Sequence, residues 1–538
     1  MVPEKPETQE KPETQVLPNS ETINEDQSCT AFSDDKHPCQ NGLRLMSICV
    51  GLCLAVFLVA LDNTIIATAI PKITDEFGAL DAVGWYASAY LLTTCAFQLM
   101  FGTFYKIFPV KQVFLVAIAL FEIGSAVCGA APNSTAFIIG RAIAGLGSAG
   151  VFSGSLIIIT LSVSLDKRPT YNALLLSMFG IASVVGPLLG GAFTDHVTWR
   201  WCFYINLPIG AVTVLIILFI LKLDENPTQS QETWRTILSK LDPIGTCAFI
   251  PGVVCLLLAL QWGRSKYNWS DGRIIALLVI FGVLMIIFCV VQVWKGEAAT
   301  LPPRIFKNRS MVFGPMFTFL LGGSFFIMVF FIPIWFQAIK GVSAMKSGII
   351  RAFAANWYRD YHLGTLRAPL FVSAIFCAVG AGLLTTLQVH SGANEWIGYQ
   401  VIYGVGIGAG FQLAVIACQV VLDEADLPLG IAFIVFFQSF GGAIFTSVGE
   451  SIFLNGLVSG LHEIAPTIDA SLLLSSGVTN ITRSVPPALL ARVQETYNSV
   501  LAHVWYVSVA LSALSIIAAL GIEWRRIKPG TGFGAMHT

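Results

Sequence analysis

The stretch GIASVVGPLLGG, Gly180–Gly191, lies inside an apolar segment that runs from Asn172 to Thr194. Its glycines are Gly180, Gly186, Gly190 and Gly191. Small residues at such spacing let a neighbouring helix approach closely, and Pro187 removes one backbone donor and favours a kink. Soluble folds rarely contain this mixture in an apolar run of this length, whereas multi-span transporters use it often. The segment therefore predicts a transmembrane helix of a membrane transporter.

The composition supports a membrane protein. Charged residues make up 12% of the 538 positions and apolar residues 55%, with a mean hydropathy of +0.73. Soluble domains usually hold roughly 25% charged residues. The apolar runs are about 20 residues long and do not alternate, which predicts helices and not a barrel. The net charge of −1 gives no indication of nucleic-acid binding. The cysteines form no disulfide framework, because ten of the twelve lie in or against apolar runs.

Thirteen clear apolar runs are present, and the polar tail before them lacks the apolar core of a signal peptide. The runs cover about 45–70, 83–105, 110–131, 136–161, 172–194, 201–221, 243–262, 273–294, 311–336, 369–388, 396–421, 429–453 and 503–521. With the amino terminus in the cytoplasm, thirteen Lys and Arg residues up to Arg309 fall in inner loops and five in outer loops. The positive-inside rule favours this orientation. Between 454 and 502 we expect a long extracytoplasmic loop.

The carboxyl-terminal Arg525, Arg526 and Lys528 also indicate a cytoplasmic end, which requires an even number of spans. The missing crossing belongs at 348–369, where the chain reads GIIRAFAANWYRDYHLGTLRAP. Each Arg or Asp at the centre of a span costs roughly 2.5–3.5 kcal/mol. Either this segment is re-entrant or held by neighbouring helices, or it comes from a mis-spliced gene model. The second explanation is our working hypothesis.

Several sequence motifs, in the order in which they occur along the chain, resemble those of a known protein family. They are LDNTIIATAIPKI (Leu61–Ile73), GRAIAGLGSAG (Gly140–Gly150), the Gly180–Gly191 segment, WRWCFYINLPIGAV (Trp199–Val212), Trp396–Gln412 and Val435–Phe453. Together they resemble the major facilitator superfamily, in particular its fourteen-span drug:proton antiporter group and the fungal toxin and multidrug efflux pumps. The loop GTFYKIFPVKQ (Gly102–Gln112) departs from the usual GxLADRxGRR pattern, since it lacks the Asp and keeps only Lys106 and Lys111.

The resemblance implies an all-α integral membrane protein with two six-helix bundles and two extra central spans. The expected organisation is a disordered cytoplasmic tail (1–44), a first bundle (45–221), a linker with the two extra spans (222–310), a second bundle (311–521, with the anomalous 348–369) and a cytoplasmic tail (522–538). Thirteen spans are clear and fourteen are expected. The bundles would rock around a central cavity to give alternating access.

Four ionisable residues lie in the apolar runs: Asp62, Glu122, Arg141 and Glu450. An intramembrane charge is by default a functional-site hypothesis. Asp62 and Arg141 fall at similar depth on helices expected to be neighbours, so an ion pair that one proton could disrupt is expected. In the family the Arg at this position is associated with proton transfer. All four are candidates for proton coupling; for each, a structural or solvated role is the alternative.

The family resemblance makes Gly180, Gly186, Pro187, Gly190 and Gly191 an antiporter signature, with close helix packing as the alternative interpretation. An apolar, adaptable substrate cavity would be lined by aromatic and amide side chains. The candidates are Tyr90, Gln98, Trp335, Gln337, Gln412 and Gln438. The sequons at Asn268 and Asn480 fall in outer loops and predict glycosylation. No metal-ligand spacing or cofactor motif is present.

The leading hypothesis is a monomeric, proton-coupled exporter of small amphipathic compounds, such as a secondary metabolite, mycotoxin or xenobiotic. Its expected place is the cell membrane, with a vacuolar or vesicle membrane as the alternative. A proton symporter that imports a siderophore or another nutrient fits the same plan, and a faulty gene model could yield a non-functional product. A receptor or sensor is disfavoured by the short loops and buried charges. An enzyme is disfavoured because no nucleophile–base constellation is present.

Overall fold

The computed structural model describes residues 42–78, 83–164, 167–221, 241–263, 267–340, 367–464 and 487–523. Within these ranges the regular structure is helical, with fourteen α-helices and two short 3-10 helices. The α-helices are α1 (Gly42–Phe77), α2 (Val83–Ile107), α3 (Val110–Ala130), α4 (Ser134–Ser162), α5 (Arg168–His196), α6 (Trp201–Tyr204), α7 (Asn206–Ile220), α8 (Pro243–Trp262), α9 (Gly272–Lys295), α10 (Arg309–Ala338), α11 (Arg367–Thr385), α12 (Ala393–Val421), α13 (Leu427–Ile464) and α14 (Pro487–Gly521). The expected all-α membrane fold is confirmed.

The predicted apolar runs all lie on these helices. In the described ranges, eleven helical segments are long and apolar enough to cross a bilayer, and Pro369–Thr385 in α11 is a shorter apolar helix. Helix α2 has 25 residues, but its Tyr, Thr and Gln side chains make it less apolar. Because only a helix satisfies its backbone hydrogen bonds internally in lipid, these runs adopt the same secondary structure whatever surrounds them.

The predicted loop 454–502 is wrong in its bounds. Helix α13 continues to Ile464 and α14 begins at Pro487, so both ends of the expected loop are helical. The helical turns at 454–464 and 487–502 carry charged residues, so a search for apolar runs does not find them. They nevertheless pack against the second bundle. Asn498 accepts a hydrogen bond from the Trp335 indole at 2.7 Å and donates to the Leu387 carbonyl at 2.9 Å.

The two bundles repeat one packing pattern. In the first bundle α1 packs against α5 and α7, and α3 packs against α4. In the second bundle α10 packs against α13 and α14, and α11 packs against α12. Helix α2 packs against α4 and also against α13 of the other bundle. Its counterpart in the repeat would fall between α10 and α11, where residues 341–366 are outside the described part of the chain.

We call the end of the molecule at which α1 begins the amino-terminal face and the other end the opposite face. Lys340, after α10, donates to the carbonyls of Val389 and Ser391 at 2.8 Å, which are on the opposite face. Helix α12 ends at the amino-terminal face, where its Gln419 contacts Thr160 of α4. Helix α11 packs antiparallel to α12 and therefore begins at the amino-terminal face. The described residues that flank 341–366 therefore lie on opposite faces. Most of the anomalous 348–369 segment is outside the described residues, and the fourteenth crossing stays a prediction.

The two extra helices, α8 and α9, are joined at the amino-terminal face by Asp242. This fully buried residue precedes α8 in a left-handed conformation (φ 46°), which Asp tolerates better than most residues. Its carboxylate accepts from the Gly245 amide at 3.0 Å, the Gln292 amide at 2.9 Å and the Thr300 hydroxyl at 2.9 Å. Lys295 completes the site with an ion pair at 2.9 Å. One side chain thus connects the start of α8, the end of α9 and the segment toward α10.

We expect Asp242→Ala to lower the melting temperature of the purified protein more than Asp271→Ala. Burial raises the pKa of Asp242, but the Lys295 ion pair and the amide donors outweigh it and hold the pKa below its usual 3.8. The native carboxylate is therefore charged above that value, and its stabilising contribution is lost only as the pH falls through the native pKa. The substitution leaves the Gly245 amide, the Gln292 amide and the Thr300 hydroxyl without their acceptor. Each such buried group lowers the free energy of unfolding by about 1–3 kcal/mol. Asp271, whose hydrogen bond to the Arg273 amide is exposed, is the control. Equal losses measured by thermal unfolding at neutral pH would contradict the prediction.

Candidate functional site

The ionisable residues Asp62 and Arg141 meet in the interior of the first bundle. Asp62 of α1 is 0% exposed and Arg141 of α4 is 1% exposed. The Arg141 guanidinium forms an ion pair with one oxygen of the Asp62 carboxylate and donates from Nε to the Tyr86 carbonyl at 2.8 Å. It also lies 4.4 Å from the centroid of the Tyr90 ring, in cation–π contact. The pair therefore links α1, α2 and α4.

The Asp62–Arg141 pair has spare hydrogen-bonding capacity. The second carboxylate oxygen of Asp62 is buried and has no hydrogen-bond partner in the described part of the chain, and neither has the Tyr90 hydroxyl. An ionised carboxylate accepts at both oxygens, whereas a protonated one can donate. The site can consequently accept a proton at Asp62 without displacing another donor. Adding that proton removes the charge that Arg141 faces.

The glycine-rich segment of α5 packs against α1 beside this pair. The Thr64 hydroxyl of α1 donates to the Ala182 carbonyl of α5 at 2.9 Å. A methyl group at Gly186 would meet the Thr64 hydroxyl, and one at Gly190 would meet the Thr68 hydroxyl. Gly180 lies in the same continuous helix, as does Pro187, while a methyl group at Gly191 would have nothing within 4 Å. Gly186 and Gly190 thus bring α5 into direct contact with the helix that carries Asp62.

Substituting Gly190 by Ala should destabilise the protein, whereas the neighbouring Gly191→Ala should not. The added methyl at Gly190 meets the Thr68 hydroxyl and lies 3.0 Å from the Ile65 carbonyl oxygen. Overpacking of this kind costs typically about 1–3 kcal/mol. Gly191 carries the same residue change on the same helix with open space around it. Thermal unfolding of both purified variants checks this, and equal melting temperatures would show that close α1–α5 packing is unimportant.

The other two acids are not part of the Asp62–Arg141 ion pair, although Glu122 interacts electrostatically with Asp62. Glu122 of α3 faces Gly210 of α7, and both its carboxylate oxygens are buried without a hydrogen-bond partner among the described residues. Glu450 of α13 is exposed in the half of that helix nearer the opposite face. Neither carboxylate has a described ion pair with Arg141. The structure therefore assembles two of the four candidate residues into one site.

The candidate cavity residues fall into different environments. Tyr90 is in the ion-pair site, and Trp335 is buried with its indole bonded to Asn498. Gln98 of α2 and Gln412 of α12 are buried, and each has a side-chain amide nitrogen without a described partner. Gln337 and Gln438 are half-buried. Asn268 is exposed on the opposite face, and Asn480 is outside the described residues.

Sequence reasoning missed an ion-pair network at the amino-terminal face. Lys106 of α2 pairs with Asp426, just before α13, at 2.9 Å, and Arg304 of the linker pairs with the same carboxylate at 2.9 Å. Arg304 also pairs with Glu297 at 2.9 Å. Nearby, Gln419 of α12 donates to the Thr160 hydroxyl of α4 at 2.7 Å. The Lys106–Asp426 pair and the Gln419–Thr160 bond join the two bundles and hold the amino-terminal face closed.

Two pseudo-symmetric helical bundles, joined at one face and holding a buried ion pair, define the class as a multi-pass membrane transporter. The sequence profile of the Major Facilitator Superfamily matches residues 52–446. This chain belongs to the Major Facilitator Superfamily, as the sequence resemblance predicted. It is a transporter and not an enzyme.

Its relatives are named as pumps. The MFS-type efflux pump MFS1 of Arthroderma benhamiae is 54% identical over 90% of this chain and 92% of the relative. Efflux pump aflT of Aspergillus parasiticus is 48% identical over 91% of this chain and 97% of its own length. Efflux pump roqT of Penicillium rubens is 47% identical over 91% of this chain and 93% of its own length. The predicted likeness to fungal efflux pumps is confirmed.

Solved structures share the fold alone. The proton:xylose symporter XylE, bound to 6-bromo-6-deoxy-D-glucose, matches 89% of this chain and 95% of its own with a TM-score of 0.55 and 14% identity. The human organic anion transporter MFSD10 (TETRAN) matches 87% of this chain and 99% of its own with a TM-score of 0.54 and 14% identity. At this identity the likeness extends to the arrangement of helices and no further.

Proposed function

We propose that this chain exports small amphipathic compounds, such as a secondary metabolite, mycotoxin or xenobiotic, in exchange for protons. The observation that carries the proposal is the fully buried Asp62–Arg141 pair, whose second carboxylate oxygen is free to take a proton. A buried ion pair is weak evidence for stability alone, because desolvation offsets its attraction. An intramembrane pair on two core helices is better explained as a proton site.

Protonation of Asp62 would act on the contact between α1 and α4. The neutral acid attracts the Arg141 guanidinium less, while the Tyr86 carbonyl and the Tyr90 ring still hold it. Loss of the pair would let α1 move relative to α4, and the Thr64, Gly186 and Gly190 contacts would transmit that movement to α5. In this way one proton changes the packing of three helices of the first bundle. Glu122 and Glu450 are further candidates for proton transfer, with no contact to the pair.

The substrate path is proposed to lie between the bundles. Gln98 of α2 and Gln412 of α12 each have a spare amide donor, and unsatisfied buried donors favour a ligand that supplies an acceptor. We place Gln337 and Gln438 along the same path, whereas Tyr90 belongs to the ion-pair site and Trp335 is bonded to Asn498. We propose that closure of the amino-terminal face belongs to a conformation that releases cargo on the opposite side. The positive-inside rule makes the amino-terminal face cytoplasmic, so release is outward.

The test is efflux from yeast cells that lack their own pumps, with a panel of fluorescent amphipathic compounds. An exporter lowers the cell content of its substrates, and collapsing the proton gradient with an uncoupler raises that content. An importing symporter would give the opposite response, with cell content falling under the uncoupler. A compound that the protein moves equally well with and without the uncoupler would overturn proton coupling.

The expressed sequence has to be verified first, because of the anomaly at 348–369. The cDNA across the codons from Met345 to Leu370 shows whether the charged segment is genuine. A hydrophobic span in the transcript would direct all assays to the corrected chain. A transcript identical to the present sequence would predict impaired transport.

We further propose a monomer in the cell membrane with its amino terminus in the cytoplasm and a glycan on Asn268 and on Asn480. A shift in gel mobility after glycosidase treatment, reduced in Asn268→Gln, would support the orientation. A glycan added instead at an engineered site near Gly42 would reverse it.

A further inference from the structure

An apolar groove lies between α10 and α13, close to the amino-terminal face. Its volume is about 310 Å³, at the lower end of the range for small-molecule sites. Met311, Met316 and Phe319 form the α10 wall, and Phe433 and Phe437 form the α13 wall. Phe306, in the 3-10 helix Pro303–Lys307 that precedes α10, covers the end nearest the face. Every side chain that lines the groove is apolar.

The groove opens sideways out of the protein. Phe306 is 39% exposed and Met316 is 46% exposed, whereas Phe317 and Leu321, on the other side of α10, are fully buried. From Met311 to Phe319 the wall is about 12 Å long, at roughly 1.5 Å per residue. One leaflet of the hydrocarbon core is about 15 Å deep, half of the full core. The groove therefore matches the depth of a single leaflet.

Three basic residues lie next to Phe306 in the chain, at the end of the groove nearest the amino-terminal face. Arg304, Lys307 and Arg309 all lie within three residues of Phe306. Arg304 is engaged with Asp426 and Glu297. Lys307 and Arg309 are exposed, and within the described residues neither side chain forms an ion pair. The Glu523 carboxylate accepts from the Arg309 backbone amide at 3.3 Å. The mouth of the groove thus carries two exposed cations and one acid, a net positive charge that favours an anion.

From these two features we infer that the groove binds an anionic phospholipid, with an acyl chain between α10 and α13 and the headgroup phosphate beside Lys307 and Arg309. An acyl chain fits the leaflet-deep apolar walls, and a phosphate fits the adjacent cations. Basic sites between transmembrane helices bind anionic headgroups in this manner. Because Arg304 also contacts Asp426, a bound lipid would lie next to the contacts that close the amino-terminal face.

Photo-cross-linking tests where the lipid lies. The full chain is reconstituted in nanodiscs that contain phosphatidylglycerol with a diazirine on its acyl chain. We expect cross-links concentrated on peptides that contain 311–319 and 433–440. Met316→Trp fills the groove and should remove them, whereas Val290→Trp, on the exposed side of α9, should not. Cross-links spread evenly over the lipid-facing helices, or unchanged in Met316→Trp, would overturn the proposal.

Native mass spectrometry tests the charge requirement. Lys307→Gln with Arg309→Gln should weaken retention of phosphatidylglycerol by about thirty-fold, since each basic residue near an anionic surface contributes roughly 1 kcal/mol. Retention of phosphatidylcholine should not change. Arg273→Gln, an exposed cation on the opposite face, is the matched control and confirms that folding and extraction are unaffected. An unchanged preference for the anionic lipid in the double variant would refute the site.

Two other occupants give distinct results. A second copy of this chain in the groove would produce protein–protein cross-links from 311–319 and a dimer mass. A transported compound would compete with the lipid cross-link at concentrations that saturate efflux. Cross-links between two copies without any lipid cross-link at 311–319, or loss of the lipid cross-link at compound concentrations that saturate efflux, would overturn the lipid assignment while leaving the proposed transport function intact.

Discussion

Asp62→Asn is expected to abolish proton-coupled transport and to destabilise the protein. The substitution preserves shape but leaves the buried Arg141 guanidinium without its counter-charge. Removing one partner of a buried ion pair costs about 3–5 kcal/mol. Efflux from cells and the melting temperature of the purified protein are the two measurements. Glu76→Gln is the control, since its ion pair with Arg200 at 2.8 Å is solvent-exposed and such pairs contribute about 0–1 kcal/mol.

The double variant Asp62→Asn with Arg141→Gln separates coupling from structure. Removing both charges avoids an unpaired buried cation, so the melting temperature should recover toward that of the wild type. Transport driven by a pH gradient in proteoliposomes should stay absent, because no carboxylate is left at the site. Recovery of both stability and gradient-driven transport would assign the pair a purely structural role. Persistent transport would transfer the coupling to Glu122 or Glu450.

Asp426→Asn is expected to open the amino-terminal face. The buried Asp426 carboxylate holds Lys106 of the first bundle and Arg304 of the linker. Loss of a partly buried ion pair that contributes about 1–2 kcal/mol shifts the conformational equilibrium by a factor of roughly 5–30. Spin labels at Gln112 and Glu424, both exposed at this face and on different bundles, should report a larger population of long distances.

Two single variants identify which contact closes the face. Lys106→Gln breaks the contact between bundles and should reproduce the effect of Asp426→Asn. Arg304→Gln breaks a contact within the linker and second bundle and should shift the distances less. Equal effects of all three substitutions would mean that the network acts as one unit. No shift in Asp426→Asn would show that the α2–α13 packing and the Gln419–Thr160 bond suffice for closure.

The closed face also explains why the degenerate loop Gly102–Gln112 is compatible with a working transporter. The loop lacks the acid of the usual family pattern but retains Lys106, and the acid that Lys106 meets is supplied by the other bundle. Gly102 in the same stretch lies against Ala432 of α13. The charges that contact each other across the bundles are thus distributed over two distant parts of the chain.

Much of the architecture was predictable from the sequence, for a simple physical reason. In lipid, a run of about 20 apolar residues can satisfy its backbone groups only as a helix or in a closed barrel. The identity of each span is thus a local property, and the runs from 45–70 to 503–521 all lie on helices. Helix ends were less predictable: α13 and α14 extend beyond their apolar parts because polar turns such as that of Asn498 find partners on α10 and beside α11.

The sequence by itself determined three things: the membrane-spanning helices, the family, and the similar membrane depth of Asp62 and Arg141. The first follows from composition, the second from the order of the motifs, and the third from counting residues along each helix. None of these depends on how the helices pack. Only the tertiary structure decided which side chains meet. Lys106 and Asp426 are 320 positions apart, and Asp242 joins residues up to 58 positions away. Such pairs have no periodic signature, because their formation depends on how whole helices pack and not on the sequence around either residue.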